Sequence, residues 1–217
     1  MNRIRIVLAD DERMVRTALR VILDAEQDLE VTGEAASGAE AVSVAREQCP
    51  DVVLMDVRMP QIDGIDATRQ ILGSMDAPPR VVVVTTFEND SYVYDALRAG
   101  AAGFLLKRAA PEDLVAAVRL VARSDSLLYP AALRTLAAEH ARRAPAPPPW
   151  ADRLTGREAQ VLRLMARGLT NAEIAARMGV GPATAKTHVA AVLAKTGARD
   201  RTQAVIIAYE SGFLTPG

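Results

Sequence analysis

Val52-Val53-Leu54-Met55-Asp56-Val57-Arg58-Met59-Pro60 is the stretch on which the fold turns. Four apolar residues run without a break, meet an aspartate, and give way to a proline-terminated loop. A strand with one wet face would alternate apolar and polar residues, so this one reads as covered on both faces, as in a parallel sheet. Val81-Val82-Val83-Val84-Thr85 repeats the pattern and again closes on a polar residue. Working outward, strand-like runs recur at Ile4–Ala9, Leu29–Ala35 and Gly103–Leu106. Helical periodicity fills the intervals, at about 14–25, 39–48, 65–75, 92–99 and 111–123. Five βα units in that order predict an α/β fold with a doubly wound, five-stranded parallel sheet, and such sheets bind ligands beyond the carboxyl ends of their strands.

The pattern changes after residue 129. Residues 131–142 read as a helix, and Ala144-Pro145-Ala146-Pro147-Pro148-Pro149 as an extended linker, because consecutive prolines cannot continue a helix. The expected division is 1–124, then a helix and Pro-rich linker at 125–149, then 150–217. The last segment contains no strand runs. Thr155-Gly156-Arg157-Glu158 and Thr170-Asn171-Ala172-Glu173 are capping boxes, Thr at the N-cap and Glu three residues on, and Asp200-Arg201-Thr202-Gln203 imitates them. With Gly168 and Gly179 at helix ends and Pro182 at a helix start, four helices are expected near 155–167, 171–178, 182–196 and 201–211.

Composition narrows the classes. The formal charge of −1 conceals an acidic front, where residues 1–129 carry 14 Lys+Arg against 21 Asp+Glu, and a basic end, where residues 150–217 carry nine against five. The first suits a cation and the second a polyanion. A single cysteine, Cys49, excludes an internal disulfide, and no Cys/His cluster points to zinc. No apolar run approaches the ~20 residues of a membrane span, and Met1-Asn2-Arg3-Ile4 leads into a strand without a signal-peptide layout. A cytoplasmic protein with no membrane partner is expected.

Polar residues gather at the strand ends: Asp10 and Asp11 after the first, Asp56 at the third, Thr85 at the fourth, Lys107 at the fifth. Any one of them, taken singly, reads as a helix cap or a solvated charge. Together, on one edge of a parallel sheet, three carboxylates repel one another unless a cation neutralises them. Hard oxygen donors without His or Cys favour Mg2+. Lys107 adds a fixed positive charge and Thr85 a hydroxyl, a set that fits a carboxylate nucleophile receiving a phosphoryl group.

Residues 1–123 resemble a CheY-like receiver domain, whose sheet has the flavodoxin-like strand order 2-1-3-4-5. The resemblance rests on Asp10-Asp11, on Leu54-Met55-Asp56-Val57-Arg58-Met59-Pro60, on Asp63-Gly64, on Thr85 and on Phe104-Leu105-Leu106-Lys107. It implies Asp56 as phosphoacceptor, Mg2+ on Asp11, Asp56 and the Arg58 backbone carbonyl with Asp10 assisting, and Thr85 and Phe104 as a switch pair. Phosphoryl oxygens would draw Thr85 inward and Phe104 would fill the space, a local packing change with a distant readout. Two positions depart from many receivers: Phe104 lacks a phenolic hydroxyl, and Arg108 replaces a proline, leaving the isomer of the Lys107–Arg108 bond open.

The second and third helices of the C-terminal segment, joined by Gly179-Val180-Gly181, have helix-turn-helix spacing. Ala185, Val189, Val192 and Leu193 form the expected buried stripe. Ala183, Thr184, Lys186, Thr187 and Ala190 fall on the other side, with the cation and hydroxyl near the helix N-terminus, where recognition helices meet bases. Lys195, Arg199 and Arg201 are candidate phosphate contacts. Residues 154–204 resemble a LuxR-type helix-turn-helix, and its pairing with a receiver identifies the NarL/FixJ class of response regulators. The class implies a sensor histidine kinase as partner, double-stranded DNA as ligand, and a homodimer on phosphorylation. Its last helix commonly dimerises, for which Ala204, Val205, Ile207 and Ala208 would serve unless they complete the domain's own core. The receiver surfaces offer other dimer faces.

The function expected is a phosphorylation-controlled transcription regulator, not an enzyme. A phosphorylation-independent regulator with a scaffolding or ligand-binding receiver is the alternative, against which the intact acidic pocket counts. A phosphotransferring or hydrolysing enzyme would need a second carboxylate two residues after Asp56, where Arg58 stands.

Overall fold

The structure is a computed structural model, and it describes residues 3–86, 90–123, 127–128, 132–133, 135 and 148–215. The expected linker before Pro148 and most of the helix expected at 131–142 lie outside the described residues. The chain divides into two compact units, Met1–Arg123 and Ser124–Gly217.

The first unit alternates β1 (Ile4–Ala9), α1 (Arg13–Asp24), β2 (Leu29–Ala35), α2 (Gly38–Gln48), β3 (Val52–Asp56), α3 (Gly64–Ser74), β4 (Arg80–Thr85), α4 (Asp90–Ala99), β5 (Gly103–Leu106) and α5 (Pro111–Arg123). All pairings are parallel, in the order β2-β1-β3-β4-β5. This is the sheet the sequence predicts. The continuous apolar runs are buried throughout, because helices cover both faces.

Register brings the polar residues level. Ala9 pairs with Met55, so Asp10 is abreast of Asp56. Asp56 pairs with Val84, and Thr85 pairs with Leu106, so Thr85 and Lys107 each fall one residue further along. Residues nearly a hundred positions apart therefore occupy one edge within a single residue step.

Gly64 fixes the loop beside this edge. A Cβ there would stand 1.8 Å from the Asp56 carbonyl oxygen, and the Gly64 N–H donates to the Val57 carbonyl at 2.9 Å. The start of α3 can therefore close onto the end of β3 only without a side chain. Asp63 caps that helix, its carboxylate accepting from the Asp66 N–H.

The second unit has a 3-10 turn at Ala151–Arg153, then α6 (Gly156–Ala166), α7 (Asn171–Met178), α8 (Pro182–Thr196) and α9 (Arg201–Glu210). Both capping boxes form as expected, at Thr155/Glu158 and Thr170/Glu173. At the third site Asp200 caps α9, but the Gln203 side chain accepts from the Arg199 N–H, one residue before the cap. Gly179 ends α7 in the left-handed conformation, and α8 starts on Gly181-Pro182 with no side-chain cap. α8 packs against α6, α7 and α9, and Ala185, Val189 and Val192 are its buried stripe.

Gly64→Ala should lower stability to chemical denaturation by about 1–3 kcal/mol, because the added carbon meets backbone rather than a movable side chain. Gly73→Ala, in the same helix with nothing within 4 Å of the added carbon, should leave stability unchanged or raise it. Equal effects at the two positions would show that the close approach at Gly64 is not required.

Candidate functional site: an acidic pocket and a helix-turn-helix

Asp10 and Asp56 are buried, at 2% and 6% exposure, while Asp11 is exposed beside them. Carboxylate oxygens of all three lie within 4.8 Å of one another. Lys107 reaches between the two buried ones, with Nζ 2.6 Å from Asp10 and 3.2 Å from Asp56, and the Glu12 carboxylate is 3.5 Å away. The Lys107 N–H also donates to the Thr85 carbonyl at 2.8 Å, tying β5 to β4 where both leave the sheet.

The electrostatics follow from burial. Loss of solvent pushes the Asp56 carboxyl above its ordinary range, the Lys107 charge pulls it back, and the neighbouring Asp10 charge raises it again. Burial alone would lower the Lys107 ammonium, but hydrogen bonds and charge from Asp10 and Asp56 outweigh it and hold the proton more tightly. One ammonium among this many carboxylates leaves negative charge uncompensated, and the donors are all hard oxygens. These residues fit a divalent cation such as Mg2+.

The pocket opens into a cleft of about 720 Å³, whose walls include Asp56, Arg58, Thr85, Thr86, Tyr92 and Lys107. Thr85 is buried, Phe104 is half-buried on β5, and Arg58 is exposed at the rim. Among the described residues there is no cis peptide bond, so Lys107–Arg108 is trans.

Sequence reasoning missed Glu12, Arg16, Thr86 and Tyr92. Glu12 adjoins the acidic pair, and Tyr92 is an exposed aromatic at the head of α4; both had a local signal. Arg16 had none. Its guanidinium donates from Nη1 to the Asp10 carbonyl at 2.6 Å and from Nε to Glu34 at 3.1 Å, and Glu34 also accepts from Arg20 at 2.6 Å. The Arg20 hydrogen bond, and then that of Arg16, hold the Glu34 carboxyl below its ordinary range.

In the second unit, Ala183, Thr184, Lys186, Thr187 and Ala190 are exposed on α8, as the helical period predicts, and Arg199 is exposed beyond it. Thr187 donates its hydroxyl to the Ala183 carbonyl within the helix. Two expected phosphate contacts sit elsewhere. Arg201 is buried at 4% exposure and donates to the Leu169 carbonyl and to Asn171 Oδ1, so it ties α9 to the start of α7. Lys195 is half-buried, with Nζ 2.6 and 2.8 Å from the two carboxylate oxygens of buried Glu158. Both are internal struts. Of the residues considered for dimerisation, Ala204, Val205 and Ala208 are fully buried in the domain core, and Ile207 alone keeps some exposure.

With this geometry in place, comparison with known proteins defines the class. Residues 6–119 match the response regulator receiver domain, and residues 152–208 match the LuxR family of bacterial regulatory proteins. The chain belongs to the response regulator family, with a receiver domain and a LuxR-type DNA-binding domain. It is 39% identical over 215 residues to the uncharacterized transcriptional regulatory protein YxjL of Bacillus subtilis (strain 168), covering 98% of each chain. It is also 39% identical over 212 residues to the response regulator protein VraR of Staphylococcus aureus (strain Mu3), covering 97% of this chain and 99% of that one. Among solved structures, the receiver domain of the response regulator NarL from Mycobacterium tuberculosis superposes with a TM-score of 0.55 at 34% identity, covering 57% of this chain and 98% of that one. Receiver domains bind Mg2+ through acidic residues, and Asp10, Asp11 and Asp56 are the matching cluster. Among the described residues, no helix is long and apolar enough to cross a membrane.

The Glu158–Lys195 pair generates a pH prediction. Lys195 first, and the Thr155 backbone N–H next, hold the Glu158 carboxyl down to about 2. A folded value below the unfolded one stabilises at pH above the ordinary carboxylate range, and that contribution is lost as pH falls towards about 2. Thermal unfolding of wild type and Glu158→Gln should differ clearly at pH 6 and converge on acidification below about pH 4. A gap independent of pH would assign Glu158 a packing role only.

Proposed function

We propose that this protein is a two-component response regulator in which a sensor histidine kinase phosphorylates Asp56, and that this switches sequence-specific DNA binding and transcription. The observation that carries the reading is the Lys107 ammonium, hydrogen-bonded to one buried aspartate and ion-paired with a second at the mouth of a polar cleft. The family membership supports it.

In the step proposed, an Asp56 carboxylate oxygen attacks the phosphorus of a phosphohistidine. The P–N bond breaks, its electron pair stays on the departing imidazole nitrogen, and an acyl phosphate forms. Bound Mg2+, held by Asp11, Asp56 and the Arg58 backbone carbonyl with Asp10 assisting, would neutralise charge on the phosphoryl oxygens. Lys107 is placed to take one of those oxygens, exchanging its contact with the Asp56 carboxylate for one with the product. Thr85 supplies a hydroxyl to another, and Phe104 moves into the space that Thr85 leaves. The same chemistry argues against an enzyme that turns the acyl phosphate over. Arg58, two residues after Asp56, offers no carboxylate to activate water.

The organisation proposed is a receiver at 1–124, a helix and linker at 125–149, and a DNA-binding domain at 150–217. Thr184, Lys186, Thr187 and Ala190 on α8 would face the major groove, with Arg199 at the phosphates. A cytoplasmic homodimer on paired half-sites completes the proposal, because two-fold protein symmetry then mirrors the operator.

Intact-mass measurement after incubation with acetyl phosphate and Mg2+ tests the chemistry. One phosphoryl adduct on wild type and none on Asp56→Ala is expected; no adduct on folded, Mg2+-binding wild type would favour a phosphorylation-independent regulator. For the DNA half, Lys186→Ala should weaken operator binding and, if its contact is to phosphate, reduce the salt slope by about one. Undiminished affinity would remove Lys186 from the interface.

A further inference from the structure

We propose that Arg16 is a positioning residue for the acidic pocket: it holds the turn between β1 and α1 so that Asp10 and Asp11 present their carboxylates to a divalent cation. The inference rests on the receiver reading above and adds to it a residue outside the pocket itself.

Asp10 is held at four points, one of them its N–H, which donates to the Ala35 carbonyl at 3.1 Å. Its Oδ1 accepts from the Glu12 N–H at 2.9 Å, its Oδ2 meets Lys107 at 2.6 Å, and its main-chain carbonyl accepts from Arg16 at 2.6 Å. The Glu12 and Lys107 contacts act on the carboxylate. The other two act on the backbone: the N–H anchors the residue to β2, and Arg16 holds the carbonyl, on the side that leads into Asp11. The carbonyl it holds belongs to the peptide unit that runs into Asp11, and that unit is planar. Fixing the oxygen therefore fixes the plane from which Asp11 departs. Asp11 is the exposed member of the cluster, so its direction depends on the turn more than on packing.

The arginine is suited to this by its fork. Nη1 serves the Asp10 carbonyl while Nε serves Glu34, and the side chain is only 13% exposed. Glu34 is itself anchored by Arg20. Glu34 thus orients the guanidinium and offsets its charge, so the arginine can hold the turn without repelling a cation in the pocket. A lysine offers a single nitrogen in place of two divergent ones, so it cannot reproduce the fixed fork that spans the Asp10 carbonyl and Glu34.

Three roles give different signs. If Arg16 acted only by charge, its removal would strengthen Mg2+ binding. If it were only a packing strut, its removal would lower the unfolding temperature and leave Mg2+ affinity alone. Positioning requires weaker Mg2+ binding in a folded protein.

The test is an NMR amide-shift titration of the full chain with MgCl2, on wild type, Arg16→Gln and Arg16→Lys, with thermal unfolding as the check on folding. Both variants are expected to raise the Mg2+ dissociation constant about tenfold, the lower end of what loss of a ligand-orienting contact costs. In acetyl phosphate reactions the loss should appear as a higher Mg2+ requirement rather than a lower rate at saturating Mg2+. Unchanged or tighter binding in folded Arg16→Gln, or wild-type affinity in Arg16→Lys, would overturn the assignment. Should Arg16→Gln fail to fold, Glu34→Ala decides: it removes the acceptor that orients the guanidinium while leaving Arg16 in place, and unaltered Mg2+ affinity there overturns the assignment as well. A wild type that takes neither Mg2+ nor phosphoryl would instead overturn the receiver reading itself.

Discussion

Everything in the first domain is organised around one ammonium group shared by two buried carboxylates. Lys107 lies between Asp10 and Asp56 where water is largely excluded, and removing either kind of charge would strand the other. The arrangement depends on the parallel sheet. Parallel strands all end at the same edge, so residues contributed by β1, β3 and β5 meet without any of them being near in sequence. A mobile proton or cation at that edge meets a preformed set of oxygens. The cleft is poised, because its charge is incompletely balanced and its donors are fixed.

Backbone geometry around the pocket is as constrained as the charges are. Gly64 lets α3 close onto the carbonyl of Asp56, and Arg16 holds the carbonyl of Asp10, level with it across the sheet. Both act through main-chain atoms. In the function proposed, the side chains that would touch a phosphoryl group could reorient while the frame that carries them stays in place.

The DNA-binding domain spends its charge differently. Arg201 and Lys195 are basic residues in a basic domain, yet both are consumed internally, one joining α9 to the start of α7 and the other pinning α8 to the capping box of α6. The exposed face of α8 is left with small residues, two threonines and one lysine. Were this face to meet DNA as proposed, its affinity would draw on shape and backbone contacts as much as on base edges.

The sequence by itself determined the elements and their order. Unbroken apolar runs such as 81–84 require two covered faces, Thr-x-x-Glu signatures start α6 and α7, and Pro182 starts α8, because each is a local constraint on hydrogen bonding or burial that residues a few positions apart satisfy together. The acidic pocket was legible for the same reason: its members stand at strand ends, and parallel strands share an edge. Only the tertiary structure decided which charges face inward. Nothing local distinguishes Arg201, buried on Asn171, from Arg199, exposed two residues earlier, or marks Arg16 as the arginine that grips Asp10. A long cation can reach in several directions, and the partner that fixes its direction lies on another element, brought within reach only when the whole domain packs.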